Sequence, residues 1–344
     1  MMTIVLLVAG FYVGWNIGAN DAANCIGTMV GARVLSFRKA ALLMGVFVIL
    51  GGVLQGHHVM KTVGSGIIIT SEDQTQATPE KPAPVRLHDH FPDGRLPDIA
   101  ILVALISAGL FVTLATFTKV PVSTSQAIVG GVTGVGLGIV GLDADYFRVS
   151  VLMKIVSAWV ISPALCAVLA FALYRLLGNV ARQMNPLIWS RTLSVLVIVA
   201  AAYVSFSLGA NDVGNAIGPL LSKYPTHGPW LALMGGVAMA TGALTFGQRV
   251  TDTVGKNITP LDLGGAFAAQ LSAGVGVHLF SLLGIPVSTS QAIVGAVIGV
   301  GLTKGAQAVS GKKISMIVAG WVFSPVLAAL YAYLTYQGIL TLLN

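Results

Sequence analysis

Two copies of a short acidic motif are the residues best suited to chemistry in this chain. Residues 18–27 read Gly-Ala-Asn-Asp-Ala-Ala-Asn-Cys-Ile-Gly, and residues 209–218 read Gly-Ala-Asn-Asp-Val-Gly-Asn-Ala-Ile-Gly. Each copy places a carboxylate and two carboxamides in an apolar run, between glycines that weaken a helix. Asp and Asn oxygens, with backbone carbonyls freed by a broken helix, suit a hard cation such as sodium better than a transition metal.

The two motif acids, Asp21 and Asp212, are the only acids within the apolar segments of the chain. A charge at mid-bilayer costs at least about 2.5 kcal/mol on insertion scales, so it persists where it faces a cavity and has a partner. No Lys or Arg lies near either motif at helical spacing, which favours a bound cation as that partner. The alternative is helix packing through Asn–Asp hydrogen bonds, which does not explain two copies of the same carboxylate.

A second repeated block supplies hydroxyl groups. Pro-Val-Ser-Thr-Ser-Gln-Ala-Ile-Val-Gly occurs at residues 121–130 and again, identically, at 286–295. A proline, a candidate Ser cap and a following apolar run predict a helix start, whose free N–H groups attract anions. Three hydroxyls add donors without fixed positive charge, which suits a tetrahedral oxyanion that must be bound and released. The alternative is that Ser and Thr only bond within their helix or pack closely.

Composition predicts the element type that positions these motifs. Of 344 residues, 55% are hydrophobic and 9% are charged, and the mean hydropathy is +0.86. Soluble domains carry about 25% charged residues, so this chain needs a lipid solvent. The continuous apolar runs favour helices over a β-barrel. The net charge of +7 lies mostly in short loops and indicates membrane orientation rather than nucleic-acid binding.

Ten apolar segments are predicted, two of them broken by the acidic motifs. The N-terminal segment is expected to be a retained first span rather than a cleaved signal. Cys25 and Cys166 both lie in apolar segments and are expected to be buried rather than paired. The segments are Ile4–Arg33, Ala40–Gly56, Ile99–Phe117, Ser123–Val140, Val151–Leu177, Leu193–Leu221, Leu231–Gly247, Ala266–Leu283, Ser288–Leu302 and Ile314–Leu342.

Three landmarks recur in the same order and predict a tandem duplication. Besides the two motifs, Trp-Val-Ile-Ser-Pro at 159–163 returns as Trp-Val-Phe-Ser-Pro at 321–325. The predicted fold is an all-α polytopic membrane protein, one transmembrane domain over 1–344. It consists of two inverted-topology repeats, 1–178 and 192–344, of about five membrane segments each. Broken helices or re-entrant hairpins are expected at the repeat interface.

Loop charges predict the orientation of the segments. Basic clusters follow the first, fifth and ninth segments, whereas residues 71–97 and the next turn on that side are acidic. Placing the basic clusters in the cytoplasm puts both termini and the 71–97 loop outside. Five crossings per repeat then turn the second repeat over relative to the first. The 71–97 loop, rich in proline and charge, is expected to have no fold of its own.

The paired Gly-Ala-Asn-Asp-x-x-Asn motifs, each followed by a Pro-Val-Ser-Thr-Ser-Gln block, resemble the inorganic phosphate transporter (PiT) family over nearly the whole chain. The resemblance implies symport of inorganic phosphate with sodium or protons by a homodimer in the cytoplasmic membrane, without a bound cofactor. It implies phosphate ligands at Asp21, Asp212, Ser123, Thr124, Ser125, Gln126, Ser288, Thr289, Ser290 and Gln291. It implies sodium ligands at Asn20, Asp21, Asn24, Asn211, Asp212 and Asn215.

The chain departs from the family pattern in two ways. Gly214 replaces the second Ala of the motif, which is expected to loosen the helix break there, and the large central cytoplasmic insertion of many members is absent. The function expected is a secondary active symporter that imports phosphate with sodium by alternating access. A proton-coupled phosphate permease or a sulfate permease of the same fold stays open, although the motif acids favour phosphate.

Functions of other classes fit the sequence less well. An intramembrane hydrolase would need a base within hydrogen-bond reach of a nucleophilic serine, and no His or Lys recurs beside either serine block. A passive channel would not require paired acids in an anion path. His278 lies in an apolar segment, where a hydrogen-bonded packing role is favoured over a proton relay. The chain is therefore expected not to be an enzyme.

Overall fold

The computed structural model describes residues 1–70, 90–91, 93–118, 122–248, 251, 261–305 and 311–343. Within these ranges the chain is helical and has no β-strand, only an isolated antiparallel bridge between Ile68 and Phe147. A π-helical turn at Thr62–Gly66 follows α3. The helices are α1 Met2–Gly31, α2 Phe37–Gln55, α3 His57–Lys61, α4 Asp98–Thr118, α5 Thr124–Val140, α6 Val149–Ala181, α7 Pro186–Lys223, α8 Gly228–Thr245, α9 Leu263–Leu282, α10 Thr289–Thr303 and α11 Gly311–Leu343.

Each of the ten predicted segments falls on one of these helices. Among the described residues, seven helices are long and apolar enough to cross a membrane. The helices that begin at the serine blocks, α5 and α10, are shorter apolar helices. At about 1.5 Å per residue, neither reaches the ~30 Å of a bilayer core. Most of the 71–97 loop, and Pro121, lie outside the described residues.

The helices that carry the acidic motifs are continuous, so the predicted break at each motif is wrong. Helix α1 runs through Asp21 to Gly31, and α7 runs through Asp212 to Lys223. The motif glycines serve close packing instead. A Cβ on Gly18 would lie 1.9 Å from the carbonyl oxygen of Met239, and one on Gly209 would lie 2.1 Å from that of Val48.

These contacts pair a helix from the first half of the chain with one from the second half. Helix α1 crosses α8, where a Cβ on Gly242 would also meet the carbonyl oxygen of Trp15 at 2.0 Å. Helix α2 crosses α7, where a Cβ on Gly51 would meet that of Phe206 at 1.9 Å. Glycine on both sides of each crossing lets the backbones touch, as small residues do between membrane helices.

The serine-block helices pair in the same crossed way. A Cβ on Gly134 of α5 would lie 2.1 Å from the carbonyl oxygen of Ala329 in α11. A Cβ on Gly299 of α10 would lie 2.0 Å from that of Ala167 in α6. Four interhelical contacts therefore join residues before 178 to residues after 192.

Gly214 has a packing explanation that differs from the expected loosening. The helix around it is continuous, and a Cβ at this position would lie 2.7 Å from the Val59 side chain and from the backbone nitrogen of Met60. Glycine therefore lets α3 approach the second acidic motif. Cys25 and Cys166 are both buried and unpaired, as predicted.

Candidate functional site

The carboxylate of Asp21 lies at the centre of a polar cluster on α1. Its Oδ1 accepts hydrogen bonds from the Nδ2 groups of Asn24 at 2.8 Å and Asn20 at 3.3 Å. It also accepts from Ser290 Oγ at 3.1 Å, while Oδ2 accepts from Thr124 Oγ1 at 3.4 Å. Asp21 is 1% exposed, so its charge depends on these donors rather than on solvent.

The second acid has the same kinds of partner. Asp212 Oδ1 accepts from Asn215 Nδ2 at 2.7 Å and from Ser125 Oγ at 3.3 Å, and Oδ2 accepts from Thr289 Oγ1 at 2.9 Å. Asn215 Nδ2 also donates to Ser125 Oγ at 2.7 Å, just as Asn24 donates to Ser290 at 2.8 Å. Asp212 is completely buried.

The partners of the two acids show a crossed arrangement. Each Asp accepts from a Thr of the serine block that follows it in the chain and from a Ser of the other block. Thr124 and Ser125 are neighbours in sequence, as are Thr289 and Ser290, so both serine blocks contact both acids. The structure thus brings both predicted motifs into one buried cluster.

Helix starts face this cluster, as the sequence predicted. Ser123 caps α5 by accepting from the backbone N–H of Gln126 at 3.2 Å, and Ser288 caps α10 by accepting from that of Gln291 at 3.3 Å. The side chains that contact the acids lie in the first turn of each helix. The remaining first-turn N–H groups give each start a partial positive charge, which favours anions.

Three buried side-chain oxygens in the acidic motif and the serine blocks have no hydrogen-bond donor. They are Asn215 Oδ1, Gln126 Oε1 and Gln291 Oε1. A buried acceptor without a donor is costly, and a cation would satisfy it. The described residues contain no group of three His, Cys, Asp or Glu side chains able to hold a metal. A hard cation bound by carboxylate and amide oxygens fits this donor set.

Asn211 is placed differently from its aligned partner Asn20. Its Nδ2 donates to the carbonyl of Val287 at 2.6 Å, and its Oδ1 accepts from the N–H of Val287 at 3.2 Å. Both ends of this amide are therefore bound to the connector before α10. The Val287 carbonyl also accepts from Ser125 Oγ at 2.6 Å. Sequence reasoning missed Val287 because a backbone carbonyl leaves no side-chain signal.

A series of hydrogen bonds between polar side chains extends from the cluster along α1 and α4. Asn20 Oδ1 accepts from Thr116 Oγ1 at 3.4 Å, and Asn16 Oδ1 accepts from Thr113 Oγ1 at 2.7 Å. Thr113 Oγ1 also lies 2.6 Å from Tyr12 Oη. These residues were not predicted, although Asn16 could have been found because it lies one helical turn before Asn20.

The two sides of the cluster differ in exposure. Asn211, Asp212 and Asn215 are completely buried, whereas Asn20 and Asn24 are partly exposed. Access to the cluster is therefore asymmetric, and the Asp21 side is the more open one.

His278 and Trp159 form hydrogen bonds with residues other than the acids. His278 Nδ1 lies 2.8 Å from Tyr203 Oη, and its Nε2 lies 2.5 Å from Gln55 Oε1, so it joins α9 to α7 and α2 by hydrogen bonds. Trp159 Nε1 donates to the carbonyl of Pro286 at 3.1 Å, which holds α6 against the second serine block.

Comparison with known families identifies a match along most of the chain. A family model described as the phosphate transporter family matches residues 17–193 and 181–332. The two matched regions each contain one acidic motif and one serine block.

Curated relatives match nearly the whole of this chain. A candidate phosphate permease of Methanocaldococcus jannaschii is 31% identical, with 95% of each chain covered. Another, from Thermococcus kodakarensis, is 30% identical, with 96% of each chain covered. An Arabidopsis thaliana protein named inorganic phosphate transporter 2-1, chloroplastic, is 27% identical over 97% of this chain and 72% of its own.

A solved structure shares the fold. It is described as the sodium-dependent phosphate transporter and superposes with a TM-score of 0.85 at 28% sequence identity. The superposition covers 100% of both chains, so the helical arrangement is common to the two proteins from end to end.

Proposed function

Because this chain belongs to the phosphate transporter family, we propose that it is a secondary active symporter that imports inorganic phosphate together with sodium. Membership of that family makes it a transporter and not an enzyme. The observation that carries the proposal is the crossed cluster, in which both acids bind hydroxyls from both serine blocks. The sodium-dependent protein with the same fold supports sodium as the coupling ion.

Charge balance favours symport over transport of phosphate alone. Asp21 and Asp212 bring two buried negative charges to the cluster, and within the described residues no ion pair neutralises them. A phosphate anion entering this cluster would be repelled by both carboxylates. Cations that enter with it would remove that repulsion, so phosphate binding would depend on cation binding.

The hydroxyl groups suggest how this dependence would work. In the structure, hydroxyls of both serine blocks donate to the two carboxylates, from Thr124, Thr289 and Ser290. The single hydrogen of Ser125 is shared between Asp212, at 3.3 Å, and the closer Val287 carbonyl, at 2.6 Å. A cation on the carboxylates would replace those donors, and the released hydroxyls would turn towards phosphate oxygens. Cation and phosphate would then bind in one coupled step.

We assign residues to the two ligands on this basis. The proposed phosphate ligands are the hydroxyls and first-turn groups of Ser123–Gln126 and Ser288–Gln291, next to Asp21 and Asp212. The proposed sodium ligands are oxygens of the acids and motif amides, at Asn20, Asp21, Asn24, Asn211, Asp212 and Asn215. Asn215 is favoured by its unpaired Oδ1, and the unpaired Oε1 atoms of Gln126 and Gln291 also suit a cation. Asn211 would have to release Val287 before it could bind sodium.

We further propose alternating access by two inverted repeats, 1–178 and 192–344, within the single domain 1–344. Support comes from the crossed helix pairs and from the unequal exposure of two otherwise matched sides. The chain is a multi-pass membrane protein. We propose that it forms a homodimer in the cytoplasmic membrane, with both termini and the 71–97 loop outside.

Uptake of labelled phosphate into proteoliposomes tests the proposal. Uptake should rise when an inward sodium gradient is imposed and should compete with unlabelled phosphate more than with sulfate. Uptake that is driven by a pH gradient and unaffected by sodium would show that protons, not sodium, are the coupling ion. Uptake that sulfate inhibits more strongly than phosphate does would reject phosphate as the substrate.

A further inference from the structure

A surface groove between α6 and the end of α9 combines one cation with apolar walls. The groove measures about 330 Å³ and is lined by Ser150, Met153, Lys154, Ser157, Ala158, Ile161, Phe280 and Ile285. Its residues on α6 follow helical spacing, so they share one face of that helix. That face is exposed: Met153 is 59% and Ile161 is 54% accessible.

Lys154 is unusual on this face. It lies five residues inside the start of a membrane-crossing helix, about 7.5 Å along its axis, a depth at which lysine reaches the headgroup region. Among the described residues the ion pairs are Lys223–Asp98 and Lys304–Asp262, so Lys154 has no carboxylate partner there. Ser150 and Ser157 lie one turn away on either side and add hydroxyl donors.

The rest of the groove is apolar. Met153 and Ile161 form one wall on α6, and Phe280 and Ile285 form the other. A cation and hydroxyls beside an exposed apolar groove on a membrane-crossing helix match a phospholipid, which has a charged headgroup and acyl chains. Positive charge at the polar end selects an anionic headgroup over a zwitterionic one.

We propose that this groove binds an anionic phospholipid, with its headgroup phosphate on Lys154 and the flanking serines and an acyl chain along the apolar walls. The inference concerns lipid binding and does not depend on which ion the cluster transports. The position of the groove links it to the acidic cluster, because Ile285 lies at the start of the segment that contacts the acids. Pro286 accepts from Trp159, Val287 binds Asn211, and Thr289 donates to Asp212.

The second repeat suggests which residue should replace Lys154. Its Trp-Val-Phe-Ser-Pro landmark aligns Met316 with Lys154, so methionine is the replacement chosen. Native mass spectrometry of the purified full chain would compare retained phosphatidylglycerol with phosphatidylcholine. Lys154→Met should lower retained phosphatidylglycerol about five-fold, as expected for one lysine near an anionic surface. Lys154→Arg, which keeps the charge, should stay within about two-fold of wild type.

Lys39→Met is the matched control, because Lys39 is an exposed lysine in the first turn of α2, outside the groove. It makes the same change in net charge and should leave retained phosphatidylglycerol within about two-fold of wild type. Equal loss in the Lys39 and Lys154 variants would overturn the proposal. So would equal retention of phosphatidylcholine and phosphatidylglycerol by the wild-type chain.

Discussion

The hydrogen bonds of Asp21 and Asp212 show what a single side chain contributes to the cluster. Each carboxylate accepts from an Asn of its own motif and from hydroxyls of both serine blocks. A neutral residue of the same shape would keep the packing but could neither attract a cation nor accept from all these donors. Replacing either Asp by Asn therefore tests the effect of the negative charge separately from the effect of side-chain shape.

Asp212→Asn or Asp21→Asn should abolish sodium-coupled phosphate uptake while leaving the protein folded. Hydrogen bonds to a charged group contribute ~1.5–3 kcal/mol each, so losing even one interaction lowers uptake about ten-fold or more. Uptake into proteoliposomes measures the effect, and gel filtration checks folding. Asp262→Asn is the control, since Asp262 is an exposed partner of Lys304. Full transport by both motif variants would reject the site.

Ser125→Ala and Ser290→Ala should each weaken phosphate binding. Each variant loses a hydroxyl worth ~1–2 kcal/mol, so the half-saturating phosphate concentration should rise about five- to thirty-fold. Concentration-dependent uptake measures this. Ser194→Ala, which removes only an exposed hydroxyl bonded to the Ser190 carbonyl, should leave the value unchanged. An unchanged value for both site variants would remove these hydroxyls from the phosphate site.

At the scale of helices, glycine decides which elements can meet. Gly18 and Gly209 read as helix breakers in the sequence, yet each lies in a continuous helix against another backbone. Sequence spacing cannot distinguish these two uses of glycine, because the deciding contact comes from a helix far along the chain.

Gly209→Ala should destabilise the protein. Its new Cβ would overlap the Val48 carbonyl oxygen, which belongs to backbone and cannot turn aside. Overpacking of this kind costs ~1–3 kcal/mol, which thermal denaturation in detergent would detect. Gly338→Ala is the control, because nothing lies within 4 Å of its added Cβ. Equal denaturation temperatures for the two variants would contradict the close crossing.

The connector before α10 predicts how the helices move. Asn211 holds the Val287 backbone, whereas the aligned Asn20 bonds Asp21 and Thr116. If the repeats exchange conformations, Asn20 should hold the aligned Val122 in the opposite-facing state. Short bifunctional maleimides should therefore link cysteines placed at 211 and 287 in one state and at 20 and 122 in the other. Linkage of only the first pair would contradict the exchange.

Most of the site could be predicted from sequence because placing its polar side chains in a lipid bilayer costs free energy. Asp21, Asp212 and the serine blocks stand out in apolar runs, and duplication marks them twice. The helical segments followed from hydropathy. The Asn211–Val287 contact could not be predicted, because a backbone carbonyl has no sequence signature. The crossed helix pairs could not either, since each glycine shows that a close neighbour is needed but not which one.

At the scale of the whole molecule, the loop charges predict orientation. Reporter domains fused to each terminus should give signals from the outer side, because the basic clusters favour the cytoplasm. Alkaline phosphatase activity measures outer exposure, and a fluorescent protein that folds only in the cytoplasm is the complementary control. A cytoplasmic signal from either terminus would contradict five crossings per repeat.

The crossed packing has a consequence for biosynthesis. Helix α1 ends at Gly31, but its partner α8 begins only at Gly228. Ser290, which donates to Asp21, is synthesised later still. At 5–20 residues per second, α1 is made roughly 10–40 s before α8 exists. Until residue 124 is made, Asp21 has neither of its distant hydroxyl partners, and it lacks Ser290 throughout the interval. The nascent first half must therefore be sheltered, by the insertion machinery or by water near its polar face, until the second half is synthesised.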